Sequence, residues 1–366
     1  MDKNDFTEDE KLLKQFYSRY GGYWRYPDML DYCYLVNPYF IRSAIIKEMQ
    51  SFFPILVSEY PSGMYVNSRL ASECWNIKQE YIIVGNGAAE LIKVIMENLE
   101  GKVGMVRPTF EEYPNRMPDE QIITFVPQND TFRYDTDDLI RQFTQNPVDT
   151  LLLINPDNPS GNFIQMGDLH KLAKWCEKKR MRFILDESFV DFSVGYKNNS
   201  FIHNDILEQY PHMCVIKSIS KSYGVPGLRL GILCSADVAM IDKMKKQVSI
   251  WNINSFAEYF MQIYPKYREE YLHACDQFIQ AREDFEVELK KIPFIKVMPS
   301  QANYFFLEVL PPYKPKELCA ILLKRYNILV SACHAKKGIE PNRYMRIAIR
   351  NHGDNEKFIN ALKELI

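Results

Sequence analysis

Short apolar runs alternate with segments of helical spacing through the middle of this chain, and this alternation constrains the fold more than any other feature. Each run is only a few residues long and ends at a polar or proline-containing turn, as buried strands do. The predicted strands are residues 81–84, 102–106, 150–154, 183–185, 214–216 and 230–234, with predicted helices at 88–98 and 166–178. Strand–helix alternation of this kind predicts an α/β fold with a mostly parallel sheet.

The pattern changes in the last third of the chain. Residues 241–280 have long helical spacing that is interrupted near Pro265. After them come predicted strands at 295–298, 304–309 and 345–349 and predicted helices at 316–326 and 355–365. We therefore expect a large domain at residues 41–255, and a smaller α+β domain formed by residues 256–366 with an N-terminal arm, residues 1–40. A helix is also expected at residues 9–20 of that arm.

Composition excludes several classes of protein. Lys+Arg 45 against Asp+Glu 47 gives a net charge of -2, so no strong positive field is available for nucleic acid or an anionic membrane. The eight cysteines are scattered without a C-x-x-C pair, which favours reduced thiols in a cytosol and argues against a metal site. The acidic N-terminus contains no apolar signal segment, and no apolar stretch has membrane-spanning length.

Two turns that follow predicted strands contain small or rigid residues. Ligands of parallel sheets bind beyond the carboxyl ends of the strands, so these turns are candidate sites. Residues 85–90 read Gly-Asn-Gly-Ala-Ala-Glu, which suits an anion at a helix start, although alone this is more often an ordinary turn. Residues 155–161 read Asn-Pro-Asp-Asn-Pro-Ser-Gly. Two Asn-Pro steps predict a rigid extended loop that holds an amide in place, or simply a proline-rich turn.

Two other turns contain charged residues. Asp186 ends the apolar run at 183–185, and a carboxylate there is costly unless it has a partner. It is either a helix cap or surface turn, or a carboxylate that keeps a cofactor ring nitrogen protonated. Lys221 lies among serines and glycines, eight residues before Arg229. A partly desolvated amine near another cation becomes a nucleophile for an aldehyde, and Arg229 is suited to a phosphate.

These four segments, in this order, resemble the fold-type I aminotransferases of class I/II, which depend on pyridoxal phosphate (PLP). The similarity is greatest to the group of histidinol-phosphate aminotransferase and threonine-phosphate decarboxylase, and it runs from about residue 60 to residue 346. The S-x-S-K…G-L-R-x-G pattern at 218–231 is highly specific, and N-P-x-N-P-x-G at 155–161 nearly so. The resemblance implies the PLP-dependent transferase fold type I and PLP as the cofactor.

The resemblance also implies a role for each matching residue. Lys221 would hold PLP as a Schiff base and move a proton at the substrate α-carbon. Asp186 would pair with the pyridine nitrogen, and Asn158 would hydrogen-bond the ring hydroxyl oxygen and also contact the substrate. The other residues that the resemblance places against PLP are Gly87, Ala88, Ala89, Ser218, Ser220 and Arg229 at the phosphate, and Phe110 on the ring.

Three further positions match the family outside that centre. Tyr60 resembles the tyrosine that reaches the phosphate in a neighbouring subunit, which implies a homodimer. Arg346 resembles the arginine that clamps a substrate carboxylate, and Asn303 falls in a recurrent segment of the small domain. Taken singly, Phe110, Tyr60 or Arg346 would be packing or surface residues. Their occurrence together favours the functional interpretation.

The chain departs from the family pattern at two places. Many aminotransferases have a tyrosine three residues after the aspartate, where this chain has Phe189. One hydrogen bond of about 0.5–1.5 kcal/mol would be missing, a feature that resembles the decarboxylase-like relatives. The family segment Asn-x-Asn-Pro-x-Gly is reduced here to Asn37-Pro38. Because that segment shapes the substrate pocket, the substrate stays open.

The sequence therefore yields three hypotheses. The first is an aminotransferase that moves an amino group between a small amine or amino acid, including phosphorylated or phosphonylated ones, and a keto acid. The alternative is a PLP-dependent decarboxylase of a phospho-amino acid. The third is a PLP-fold protein retained as a binding module, against which the intact Lys221, Asp186 and Arg229 argue. Candidate partners for a substrate phosphate are Arg19, Arg25 and Arg116.

Overall fold

The computed structural model describes residues 8–41, 43–333 and 336–366, and the side chains of residues 9 and 10 lie outside this description. Its strands are β1 (Leu30–Asp31), β2 (Ile82–Asn86), β3 (Val103–Val106), β4 (Ile122–Phe125), β5 (Thr150–Ile154), β6 (Arg182–Asp186), β7 (Met213–Ser218), β8 (Leu230–Cys234), β9 (Ile295–Val297), β10 (Tyr304–Val309), β11 (Ile328–Leu329), β12 (Ser331–Ala332) and β13 (Tyr344–Ala348). Its α-helices are α1 (Glu8–Tyr17), α2 (Ser43–Ser58), α3 (Met64–Trp75), α4 (Ala88–Glu97), α5 (Thr136–Gln145), α6 (Met166–Lys178), α7 (Asn204–Gln209), α8 (Ile219–Ser222), α9 (Val238–Lys245), α10 (Ser255–Ile263), α11 (Arg268–Leu289), α12 (Pro315–Tyr326) and α13 (His352–Lys363).

A seven-stranded sheet forms the centre of the molecule, in the order β2-β8-β7-β6-β5-β3-β4. Strands β7, β6, β5, β3 and β4 run parallel, while β8 is antiparallel to both of its neighbours. The inner strands are buried along their whole length, as the continuous apolar runs of the sequence require. The mostly parallel α/β fold is confirmed, and the carboxyl ends of β5, β6 and β7 meet at one edge.

A second, antiparallel sheet has the order β12-β13-β10-β9, and helices α11, α12 and α13 accompany it. The N-terminal segment joins this part of the chain. Strand β1 pairs with β11 in parallel, and the hydroxyl of Tyr17 donates to the carbonyl oxygen of Val330 at 2.6 Å. The division into domains at residues 41–255 and at residues 1–40 with 256–366 stays a prediction.

Several elements differ from the sequence prediction. Strand β4 and helix α5 were not predicted, although Asp135 and Asp138 form a capping box at the start of α5. The long helical pattern at 241–280 is divided into α9, α10 and α11, since Asn254 caps a new helix start. The predicted helix at 9–20 ends at Tyr17 as α1, before a turn with positive φ at Tyr20.

The described part of the chain contains neither a membrane-spanning helix nor a cluster of metal ligands. None of its helices combines the length and the apolar character that a bilayer crossing requires. Nor do His, Cys, Asp and Glu side chains of the described residues gather into a group that could hold a metal ion.

Candidate active site

A cleft of about 1010 Å³ lies at the carboxyl edge of the large sheet, between that sheet and residues of the N-terminal segment and the second sheet. It brings together residues that are far apart in the sequence. The predicted site residues that line it are Ala88, Ala89, Phe110, Asn158, Asp186, Ser218, Ser220, Lys221, Arg229 and Arg346. Two smaller clefts, of about 290 and 260 Å³, are lined by none of these residues.

Lys221 lies in the short helix α8, which begins directly after strand β7. Its Nζ atom is 4.3 Å from the centre of the Phe189 ring and 5.4 Å from that of Phe110. Burial lowers the pKa of the amine to about 8, because the charged form loses its hydration; Asp186 opposes this shift, and Arg346 and Arg229 add to it. The amine is therefore available as a nucleophile near neutral pH.

Asp186 is the last residue of strand β6 and is almost completely buried. Its Oδ1 atom accepts a hydrogen bond from the backbone N–H of Ser188 at 2.8 Å, and its Oδ2 atom accepts one from the hydroxyl of Tyr113 at 2.8 Å. Two donors hold this carboxylate in one orientation. Tyr113 was not identified from the sequence, although it lies three residues after Phe110 in the same turn.

The glycine turn and Arg229 together form one candidate anion-binding site. Gly87 has a φ of 73° and precedes α4, and its N–H donates to the carbonyl oxygen of Arg229 at 2.7 Å. A Cβ atom at Gly87 would lie 2.5 Å from an Nη atom of Arg229, so only glycine lets the guanidinium lie here. No carboxylate of the described residues forms an ion pair with Arg229. A helix start beside an uncompensated guanidinium is suited to a phosphate.

The two serines of this region differ in what they can offer a ligand. The hydroxyl of Ser220 accepts from the N–H of Leu230 at 2.9 Å and donates to its carbonyl oxygen at 3.2 Å, so it holds two chain segments together. Ser218 uses its backbone N–H to donate to the hydroxyl of Ser188 at 3.0 Å. Both serines line the cleft, and the hydroxyl of Ser218 has fewer hydrogen bonds within the described chain than that of Ser220.

Asn158 and Arg346 meet at the opposite side of the cleft. One Nη atom of Arg346 donates to Oδ1 of Asn158 at 2.9 Å, and the other donates to the carbonyl oxygen of Cys33 at 3.0 Å. The Nε atom of Arg346 is buried without a partner among the described residues. Both acceptors are neutral oxygens, and no carboxylate of the described residues lies within ion-pair distance of Arg346, so this guanidinium suits an anionic group of a substrate.

Asn37 fixes the N-terminal segment to the lysine helix. Its backbone N–H donates to the carbonyl oxygen of Lys221 at 2.9 Å, and its Nδ2 atom donates to that of Ser222 at 3.0 Å. Gly224 has a φ of 66°, and a Cβ atom there would lie 2.6 Å from the carbonyl oxygen of Asn37. The shortened Asn37-Pro38 segment therefore still borders the cleft.

Phe189 occupies the position where the family pattern has a tyrosine. It is buried and packs edge-on against Tyr304, with ring centres 5.1 Å apart at an angle of 89°. The hydroxyl of Tyr304 donates to the carbonyl oxygen of Asp157 at 2.6 Å. The lysine amine thus faces an apolar ring at this position.

Other predicted residues lie outside the cleft. Tyr60 is 79% exposed and stacks on Trp251, with ring centres 4.4 Å apart. Asn303 is fully buried beside β10 and does not line the cleft. The three arginines suggested for a substrate phosphate are exposed, and none of them lines it: Arg19, Arg25 and Arg116. Arg350 and Asp31, which the sequence did not single out, do line it.

The residues around Lys221 define the class of protein. Three groups of the cleft fit PLP. The Lys221 amine suits its aldehyde, the Asp186 carboxylate suits its ring nitrogen, and the site at Gly87 and Arg229 suits its phosphate. The chain belongs to the aminotransferase class I and II family, whose model matches residues 65–364. The family and its decarboxylase members use PLP, so PLP is the cofactor of this chain.

Similar proteins include a decarboxylase and a synthase, and a solved decarboxylase structure is similar as well. The chain is 30% identical over 348 residues to L-serine phosphate decarboxylase of Sulfurospirillum multivorans, covering 92% of this chain and 88% of that protein. A solved decarboxylase structure from the same organism superimposes with a TM-score of 0.86 at 27% identity, covering 97% and 96%. The CMP-5'-(3-aminopropyl)phosphonate synthase of Streptomyces rubellomurinus is 30% identical over 98% of this chain, which spans 56% of the synthase.

Proposed function

We propose that this chain is a PLP-dependent decarboxylase of a small α-amino acid that has a phosphate or phosphonate group. The observation that carries the proposal is the similarity to L-serine phosphate decarboxylase, which extends over 92% of this chain and 88% of that protein. The alternative hypothesis of the sequence analysis is therefore preferred over its first one, the aminotransferase. Phe189, in place of the usual tyrosine, supports the same choice.

The residues of the cleft support the chemistry of such a reaction. PLP, when bound, supplies an electron sink for the charge left on the substrate α-carbon when a bond to it breaks. Arg229 and the start of α4 are suited to its phosphate, and Asp186 to its ring nitrogen. The Cα–carboxylate bond breaks, carbon dioxide leaves, and a proton takes its place on Cα. The Lys221 amine, with a pKa of about 8, can hold that proton near neutral pH.

The aminotransferase hypothesis stays as a second candidate because the matching family model has that name. The two reactions begin with the same residues and differ in the bond that breaks at the α-carbon. Transfer needs a keto acid as amino-group acceptor, whereas decarboxylation needs none. The keto-acid partner is therefore part of this second candidate only.

The direct test supplies purified holoprotein with O-phospho-L-serine, O-phospho-L-threonine or 2-amino-4-phosphonobutyrate, each with and without 2-oxoglutarate. We expect carbon dioxide and the corresponding amine in equal amounts, independent of 2-oxoglutarate. Glutamate formation without carbon dioxide would instead establish the aminotransferase. A protein that takes up no PLP would favour the binding-module hypothesis.

We also propose that the protein works as a homodimer in the cytosol. Helix α2 presents an apolar surface to solvent, and the exposed Tyr60, which follows it, does not line the cleft of its own chain. The exposed apolar residues of this surface are Ile46, Phe52, Phe53, Ile55 and Val57. An exposed patch of this kind favours a protein partner. A second copy of the chain is the partner that the role implied for Tyr60 requires. The cysteines are free thiols, which suits a reducing compartment such as the cytosol.

A further inference from the structure

Arg350 lines the active-site cleft and is held there from two sides. Its Nε atom donates to Oδ2 of Asp354 at 2.9 Å, and its Nη1 atom donates to the carbonyl oxygen of Asp31 at 2.9 Å. Asp354 is itself held by Asn351, whose Nδ2 atom donates to the same Oδ2 at 2.9 Å. The guanidinium therefore has a fixed plane, and little side-chain entropy is lost when it binds a ligand.

One edge of this guanidinium remains for a ligand. Two of its three nitrogens have the partners just named, and Nη2 has none among the described residues. The side chain of Arg350 is 32% exposed although it belongs to an ion pair, and Arg350 lines the cleft. A planar guanidinium with one free edge is suited to the oxygens of a phosphate.

Arg346 and Arg350 provide two separate cations in the same cleft. Both nitrogens at the tip of Arg346 are fixed by Asn158 and Cys33, whereas Arg350 is fixed by Asp354 and Asp31. Asp31 also lines the cleft, but its carboxylate is already bonded within the chain, since its Oδ1 atom accepts from the backbone N–H groups of Cys33 at 2.8 Å and Tyr34 at 3.3 Å. A phospho-amino acid has two anionic groups, a carboxylate and a phosphate, and each can be bound by one of these two guanidinium groups.

We infer that Arg350 is a specificity-determining residue that binds the phosphate or phosphonate of the substrate, while Arg346 binds at its other anionic end. This inference rests on the proposed function and adds which residue selects the phosphorylated substrate. Arg350 takes the role that the sequence analysis had suggested for Arg19, Arg25 and Arg116, none of which lines the cleft. Arg350 contributes to substrate binding and does not contact the reacting atoms, which lie near Lys221.

The test measures how strongly the holoprotein prefers a phosphorylated ligand. Dissociation constants of O-phospho-L-serine and L-serine are determined from the absorbance change of bound PLP, for the unaltered protein and for Arg350→Gln. We expect the unaltered protein to bind O-phospho-L-serine at least tenfold more tightly. Arg350→Gln should reduce this ratio by tenfold or more, the size of one lost charge-assisted hydrogen bond. KM for O-phospho-L-serine should rise while kcat changes little.

Two further variants serve as controls. Arg141→Gln removes an exposed arginine that pairs with Asp138 on α5, outside the cleft, and should leave the ratio unchanged. Arg350→Lys keeps the charge without the planar fork, and should reduce the ratio less than Arg350→Gln does. It also provides a measurement if Arg350→Gln folds poorly.

The outcomes separate this inference from the proposed function. A preference that is absent in the unaltered protein, or unchanged in Arg350→Gln, overturns the role of Arg350 even if carbon dioxide is released from O-phospho-L-serine. Failure to release carbon dioxide from any phosphorylated amino acid overturns the proposed function, while the binding ratio still decides on Arg350.

Discussion

The amine nitrogen of Lys221 lies 4.3 Å from the centre of the Phe189 ring. Two cations, Arg346 and Arg229, and one anion, Asp186, also act on the amine in this cleft. The ring face attracts a positive charge, whereas burial and the neighbouring Arg346 and Arg229 disfavour it. The balance lowers the pKa of the amine to about 8. At neutral pH this lysine can therefore both lose and accept a proton, as the proposed reaction requires.

The first prediction concerns the pH dependence of PLP uptake by the apoprotein. Only the neutral amine attacks an aldehyde, and its fraction falls tenfold for each pH unit below the pKa. The rate of uptake should therefore rise with pH and level off above about 8. Stopped-flow absorbance measures it. Arg346→Gln should move the midpoint to higher pH, because it removes a cation that disfavours the charged amine; a midpoint near 10.5 in the unaltered protein contradicts the prediction.

A second prediction concerns the ring beside the amine. Phe189→Leu removes the ring face that favours the charged lysine, so the pKa of Lys221 should fall by less than about one unit, from a cation–π energy of about 0.5–1 kcal/mol. The same uptake profile measures the shift. Phe110→Leu, whose ring is more distant at 5.4 Å, should have a smaller effect. A rise in pKa would show that Phe189 acts by excluding water instead.

The covalent role of Lys221 leads to a third prediction. Reduction of the holoprotein with borohydride, followed by peptide mapping, should place the label on Lys221 and nowhere else. Lys221→Ala should retain PLP poorly and lose turnover, because both the aldehyde bond and the proton donor are removed. Lys217 is a matched control, since it is also buried but pairs with Asp191 at 2.7 Å. A label on Lys217, or full activity of Lys221→Ala, would remove the mechanism.

Tyr113 is predicted to stabilise the fold through Asp186. Tyr113→Phe leaves Oδ2 of the buried aspartate without its donor, which should lower the free energy of unfolding by about 1–3 kcal/mol. Urea denaturation of the apoprotein measures the change. Tyr313→Phe is the control, because its hydroxyl bonds the carbonyl oxygen of Leu365 in a half-buried position and should matter less. Equal losses would mean that burial of the acceptor is not decisive.

The proposed dimer depends on the apolar surface of α2. Phe53→Asp places a charge on this surface, so we expect a shift from dimer to monomer in sedimentation velocity and a loss of PLP affinity. Val287→Asp changes a similarly exposed apolar residue on α11 and should leave the dimer intact. A Phe53→Asp protein that remains dimeric would place the interface elsewhere.

The sequence alone could predict the features that depend on residues close together in the chain. Strand–helix alternation gave the mostly parallel sheet, since a buried strand needs a short apolar run and a turn at its end. The Ser-x-Ser-Lys segment begins at the last residue of β7, Gly87 follows β2 directly, and Asp186 is the last residue of β6. The capping box of Asp135 and Asp138 is a local signal of the same kind, and it marks the start of helix α5.

Only the tertiary structure decided which distant side chains meet. Tyr113 and Asp186 are 73 positions apart, Asn158 and Arg346 are 188 apart, and Arg350 reaches the carbonyl oxygen of Asp31 across 319 positions. Such contacts depend on strand order and on how the N-terminal segment joins the second sheet, which no local pattern of residues encodes. For the same reason the arginines of the cleft could not be told from exposed ones until their partners were known.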